Sequence, residues 1–525
     1  MLHFSRVNHS RNLRLAGTQI LALGLFFCWA SIGTGLATDD FVHLNNAQRT
    51  PFVEMLLPTT YLSVPVLHYT HALAYALLGN QLWGYDILKG AYLLFALFAS
   101  ARFLTLFAST QRAWCGAIIL ILCPLHDGAT LWLTGQYLIL SLGLYLMAYV
   151  SAREGRTGRA ALLALLASFS SYGSPPLAVG LTLMLLLARD WRGALALVLP
   201  NAAYIVYYIV SSMVFKAGTA RLPAQFDVLR LLKSYFAQVA SFADATLGPS
   251  AWLKFALSLA SLSALSALVA ALAAIALWHW AHGPEPTAPR NSTSVLVLGT
   301  LAISLAAFGV FSLTGIYPQV AFNLGDRVVI YGMLFLTALL VRYASQRVML
   351  AAASVTLFAF MGIAEHWKGW NGTTQGSISQ IRAQLQSGRL VNSPNQTLYV
   401  SGLQYSRLGP MTHIDHFTSA YVIREILTLA NEGRPTPTTV SFNRRLQLQG
   451  DFLVDVKYGD RHPVGVSILV YDAERNAIEQ VTRADIPARI AALPQETRHW
   501  TQLLGPGIVR DTILWLMPSL RYAYS

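Results

Sequence analysis

A chain of 525 residues that is 54% hydrophobic and only 12% charged, with a mean hydropathy of +0.48, is far too apolar for a soluble domain, in which about 25% of residues are charged. The formal charge of +13 on its own suggests nucleic acid, but the arginines stand singly or in pairs between apolar segments and are better explained by membrane topology. Cys28, Cys115 and Cys123 all fall inside apolar segments, which suggests neither a disulfide framework nor a cysteine zinc site.

In chain order, Arg6, Arg11 and Arg14 precede an apolar run over 15–37 that is too long for a signal-peptide core and lacks a clear cleavage site. A retained signal anchor is expected. At its end stand Asp39 and Asp40, opening an unusually long connection over 38–83. Within it FVHLNNAQRTPFVEMLL and VPVLHYTHALAYALL mix apolar and polar residues at helical spacing, which fits helices lying in the membrane interface. The second piece alternatively reads as a further span or a re-entrant segment.

Further apolar segments fall near 84–108, 113–124, 136–151, 160–174, 176–189, 193–214, 252–280, 294–314, 328–343 and 347–365, making about eleven spans. Several are short for a crossing of the hydrocarbon. The prolines of SYGSPP, residues 171–176, break a helix either within the membrane region or at a tight loop between two short helices. Arg112, then Arg153, Arg156 and Arg159, then Arg189 and Arg192, then Arg290, then Arg342 and Arg347 mark one set of connections as cytoplasmic. The N-terminus is then cytoplasmic. The opposite, outer set carries Asp39 and Asp40, then His126 and Asp127, then the 215–251 loop, then Asp326 and Arg327, and everything after 366.

After Trp370 the polarity becomes ordinary. Strand-like runs QTLYVSGL, TVSFNRRLQLQ, DFLVDVKY and VGVSILVYD and the helix-like DHFTSAYVIREILTLANEG predict a mixed α/β domain over 371–525. The terminal LLGPGIVRDTILWLMPSLRYAYS, interrupted by Arg510, Asp511 and Pro518, reads as an interfacial or packed helix. The expected fold is therefore a polytopic α-helical membrane module over 1–370 with an extracytoplasmic mixed α/β domain behind it.

The polar groups gathered on the outer side are the candidates for chemistry. A carboxylate at a membrane exit suits a general base toward an alcohol, and His126 with Asp127 suits a Mn²⁺ or Mg²⁺ ion. Each also has an ordinary structural reading, as a loop start or a helix cap. Arg327 offers a planar fork for phosphate oxygens, or simply pairs with Asp326. Glu54, His68, His71, Gln136 and Lys233 are further candidates for lining a cavity, although residues of these types in such positions are more often structural. Ionisable groups inside the spans are few, which argues against an ion-coupled transporter.

A first span followed at once by an acidic pair, a long first outer loop, an acidic second outer loop, about eleven spans and an outer C-terminal domain resemble the GT-C superfamily of polyprenyl-phosphate-sugar-dependent glycosyltransferases. That superfamily includes protein O-mannosyltransferases and lipid A aminoarabinose transferases. The local match is DDFVHL, residues 39–44, against an acidic motif often written Asp-Glu followed by an aromatic residue or His. The resemblance implies Asp40 as the catalytic base, or Asp39 by a one-residue shift, and His126 with Asp127 at the acidic second-loop site that binds a divalent metal in some members. The chain departs from the pattern in having Asp for the usual Glu and His-Asp for two spaced carboxylates. The implied activity is inverting transfer of a sugar from a polyprenyl-phosphate donor to a glycan or lipid acceptor, at the outer face of a bacterial inner membrane. The competing classes are a transporter or flippase of lipid-linked saccharide and a non-catalytic envelope assembly protein.

Overall fold

The computed structural model describes residues 17–55, 64–215, 227–281, 293–314, 319–390, 396–432, 434, 436–456 and 459–516. The arginines at 6, 11 and 14 and the last nine residues lie outside this set. The chain is a polytopic helical membrane protein with a sheet-containing C-terminal domain. Among the described residues seven helices are long and apolar enough to cross a membrane, and the bent pair Thr110–Ile121 and Pro124–Thr130 makes an eighth. Ala22–Ser31, Thr157–Ser170 and Pro175–Leu187 are shorter apolar helices at three other expected positions.

The apolar run over 252–280 is two helices, not one. Pro249–Ala260 stops at Ser261, and Ala264–Ala281 begins after a three-residue break and is the spanning piece. In the first connection, Asp39–Arg49, Phe52–Met55 and Pro65–Leu78 are helical. The last has 14 residues and so rises roughly 21 Å, short of the hydrocarbon thickness of about 30 Å. The SYGSPP stretch is a four-residue buried break between Thr157–Ser170 and Pro175–Leu187. Its freed backbone is met locally, with Tyr331 Oη donating to Gly173 O at 2.7 Å and Ser174 Oγ to Ser168 O at 3.2 Å.

Gln346–Gln386 is a single helix of 41 residues. Its first half packs in the bundle through Met349, Leu357 and Phe360, and its last turns bury Ile378 and Ile381 against Val422, Ile423 and Ile426 of the C-terminal domain. That domain is built on the strands β1 (Thr397–Ser401), β2 (Tyr405–Leu408), β3 (Met411–Asp415), β4 (Thr438–Ser441), β5 (Leu446–Gln449), β6 (Phe452–Asp455), β7 (Arg461–Pro463), β8 (Ser467–Asp472) and β9 (Ala477–Thr482). The main sheet has the order β4-β1-β8-β9, parallel except for the β8–β9 hairpin. The run TVSFNRRLQLQ is two strands, because Asn443 turns the chain by accepting from Arg445 N between β4 and β5. Helix Ile508–Leu516 leaves Ile508, Val509 and Trp515 exposed, the apolar face an interfacial helix needs.

Candidate active site

The first helix ends at Ser31, and residues 32–38 are held by a buried ion pair on the helix Leu82–Leu104. Lys89 Nζ donates to Thr34 Oγ1 and Gly35 O, both at 2.5 Å, and lies 2.9 Å from Asp86. Asp86 in turn accepts from the backbone of Gly33 at 2.8 Å and Gly35 at 3.0 Å. The loop arrives at Thr38 with φ at 44°, a strained value for a β-branched residue, and turns there into the helix Asp39–Arg49.

Asp40 is thereby fixed in the first turn of that helix, where the helix dipole favours a carboxylate. Its side chain is buried. Oδ2 accepts from Ala37 N at 2.9 Å, and Oδ1 accepts from Thr134 N at 2.8 Å and Thr134 Oγ1 at 2.6 Å. Burial pushes its carboxyl up to about 6, against the opposing pull of those hydrogen bonds. Asp39 differs: it is half-buried and its Oδ1 accepts from Tyr421 Oη of the C-terminal domain at 2.9 Å.

The second connection meets the first at Trp132, whose Nε1 donates to Ala37 O at 3.1 Å. The Arg327 guanidinium stacks on the same indole at 4.8 Å, donates to Leu324 O at 3.1 Å and is 3.5 Å from Tyr172 Oη. Trp132 therefore stands between the Asp40 loop and the Arg327 fork. Gln136 is buried and donates to Lys89 O and Thr130 O, joining the same walls.

Behind them lies a second buried cluster. Lys254 Nζ is 2.6 Å from both Asp127 Oδ1 and Asp326 Oδ2. Asp127 Oδ2 accepts from Trp367 Nε1 at 2.6 Å and from His413 Nε2 at 2.8 Å, and Asp326 Oδ1 accepts from Gly128 N at 3.0 Å. His413 Nδ1 accepts from Asn323 N at 3.1 Å, so this imidazole is the neutral Nε2–H tautomer assigned by its network, and burial holds its pKa below the usual value despite Asp127. Gly128 is required here, since a Cβ would lie 2.5 Å from Asp326 Oδ1 and 3.1 Å from Leu324 O.

Asp127, Asp326 and His413 bring ligand-type atoms within 4.8 Å of one another. The imidazole beside Asp127 is thus His413, from the distant domain. The sequence neighbour His126 turns its Nε2 to Leu120 O at 2.8 Å. The donor set does not suit a divalent ion as it stands. The two carboxylate oxygens that face a common point both face the Lys254 ammonium, and the His413 lone pair is engaged by Asn323.

The remaining expected residues are spread out. His68 and His71 lie on Pro65–Leu78, where the His71 ring is 4.8 Å from His43, and burial lowers the His71 pKa to about 4. Glu54 and Lys233 are exposed and stand outside the buried network around Asp40. Lys89, Thr134, Trp132, Lys254 and His413 are the residues that sequence reading missed. Lys254 carried a signal as the lone cation of an apolar helix, and Lys89 as a cation one turn after Asp86 in another, since an ionisable group in such a helix marks a partner or a function. A cavity of about 710 Å³ between helix Ala420–Ala430 and β4 is lined by Tyr421, the partner of Asp39, and by Arg424, Thr438, Asp455 and His462.

No protein-family model matches the chain, and no curated protein does. Among solved structures it is similar to crystal structures of ArnT from Cupriavidus metallidurans. The apo state matches at 16% identity over 84% of this chain and 86% of that one, with a TM-score of 0.38. The structure bound to undecaprenyl phosphate matches at 13% identity over 92% and 95%, with a TM-score of 0.36. Likeness at these values is too distant to assign a residue or a reaction, and the site stands on its own geometry.

Proposed function

We propose that the chain is a membrane glycosyltransferase moving a sugar from a polyprenyl-phosphate carrier to a hydroxyl of a glycan or lipid acceptor, with Asp40 as general base. The observation that carries this reading is a buried carboxylate with its pKa raised to about 6, fixed by three hydrogen bonds, on a loop whose Ala37 O is bonded by the same Trp132 on which Arg327 stacks. Oδ2 accepts from Ala37 N and keeps a second lone pair for the acceptor hydroxyl.

In the proposed step the acceptor oxygen attacks the anomeric carbon as Asp40 takes its proton. The bond from that carbon to the phosphate oxygen breaks, and its electron pair leaves on the polyprenyl phosphate. Arg327 supplies the planar positive fork for those oxygens. One displacement inverts the anomeric centre. The acceptor approaches along the cavity at Tyr421, and the carrier arrives from the bilayer of a bacterial inner membrane with the C-terminal domain outside. Because Asp40 is buried, the elements packed around it must move to admit substrate.

The test is transfer of labelled sugar from a polyprenyl-phosphate donor by purified protein. Asp40→Asn is expected to reduce transfer about 10²–10⁴-fold, the range removed with a general base. Unchanged transfer in a folded Asp40→Asn protein would remove Asp40 as base. Movement of donor between leaflets with no new glycosidic bond would replace the transferase by a flippase.

A further inference from the structure

We infer that Lys254 stands where a divalent ion would otherwise bridge Asp127 and Asp326, so that this cluster works as a metal-free site with a built-in cation. The ammonium is fully buried and 2.6 Å from each carboxylate, a charge-assisted distance for N–H donors. Its own helix, Pro249–Ala260, delivers it: Phe322 lies 5.9 Å from Nζ, and the helix packs against Gln346–Gln386, which supplies Trp367. The rest of the cluster is saturated in a way that suits an ammonium and not a metal. His413 spends its proton on Asp127 and its lone pair on Asn323, leaving no donor pair for an ion.

The consequence concerns how the site is held. A bridging ion binds and leaves with chelators and with pH, because its ligands must be deprotonated. A lysine cannot leave. Asp127 and Asp326 open the two segments that end in Trp132, Thr134 and Arg327, so joining them through Lys254 sets the spacing of the Asp40 partner and the Arg327 fork. Lys254 is a positioning residue and does not touch the reacting atoms. This positioning role rests on the proposed transferase reading, whereas the exclusion of metal does not.

The experiment measures metal content and Mn²⁺ binding of the full-length purified protein, by elemental analysis and by electron paramagnetic resonance after chelator treatment. Wild type is expected to hold no stoichiometric ion and to keep its melting temperature and transfer rate in excess EDTA. Lys254→Ala, which removes the cation from between the Asp127 and Asp326 carboxylates, is expected to bind about one Mn²⁺ per chain through those two carboxylates and to melt higher with Mn²⁺ than without. Adding Asp127→Asn is expected to abolish both effects. A wild-type protein that retains one divalent ion per chain, lost on Asp127→Asn, overturns the inference. If Lys254→Ala does not fold, the wild-type metal content decides alone. Absence of transfer in wild type alongside a metal-free cluster would fault the transferase reading and leave this one standing.

Discussion

Asp40 is maintained in a state that its surroundings disfavour. Its folded pKa of about 6 lies above the 3.8 of an unperturbed aspartate, so the folded chain prefers the protonated form. The associated stability is fully present below about pH 4 and is lost as pH rises toward 6, at a cost on the order of 3 kcal/mol once the group is ionised. In its proposed role as base, Asp40 must be ionised to act. The transfer rate is therefore expected to fall as pH drops through about 6, as read from a rate–pH profile. The Thr134 hydroxyl donates to Oδ1 and pulls this pKa down, so Thr134→Val is expected to move the profile's midpoint to higher pH. A midpoint that stays in place would detach Asp40 from the titration. The acid at this position was legible from its place at a span's end, but its partner Thr134 was not. The two are 94 residues apart, and a Thr in an apolar stretch carries no mark of what it bonds.

Among the elements, the spans were legible because about 20 apolar residues in a row are long enough to cross the hydrocarbon and too apolar for most solvated helices. The break at Ser261–Ser263 was not, since serine is tolerated in a membrane helix and LASLSAL reads as continuous. Nor was the 41-residue helix, because KGWNGTTQGS has the glycines and polar residues of a loop, and packing on both sides carries it through as a helix. The composition changes near Trp370 without the helix changing. Where this helix crosses Pro249–Ala260, Gly362 is the point of closest approach, and a Cβ there would collide with the carbonyl of Ser258. Gly362→Val must push apart the two helices that bring Trp367 and Lys254 to Asp127. It is expected to destabilise the fold by about 1–3 kcal/mol, measured as a lowered melting temperature in detergent. An unchanged melting temperature would show that the crossing is not tight.

At the scale of the molecule, the bundle and the C-terminal domain meet through buried polar contacts. His413 reaches Asp127, Asn45 Nδ2 donates to Glu425 O at 2.6 Å, and Asp244 accepts from His499 at 3.0 Å and Trp500 at 3.1 Å. The Asp244 carboxyl is held below its usual range by those donors, which outweigh its burial. Such pairs are 255 to 380 residues apart, so composition announced two kinds of structure but could not say which groups would join them. The positive-inside reading of the basic residues between spans carries the expectation that this domain is extracytoplasmic. Val466→Cys, at a position 91% exposed and in a background with Cys28, Cys115 and Cys123 replaced by Ser, is expected to react with a membrane-impermeant maleimide on intact cells. Protection until the cells are broken would reverse the topology.

The uninterrupted Gln346–Gln386 helix makes the domain's setting a matter of angular phase. Each residue of an α-helix contributes about 100° of rotation and 1.5 Å of rise. One extra residue near 372 would swing everything beyond it by more than a quarter-turn, carrying His413 off Asp127. Four extra would bring the bearing back to within about 40° while lifting the domain by about 6 Å. The number of residues in this stalk is thus a fixed dimension, like the pitch of a screw, whereas a flexible tether of the same composition would tolerate any count.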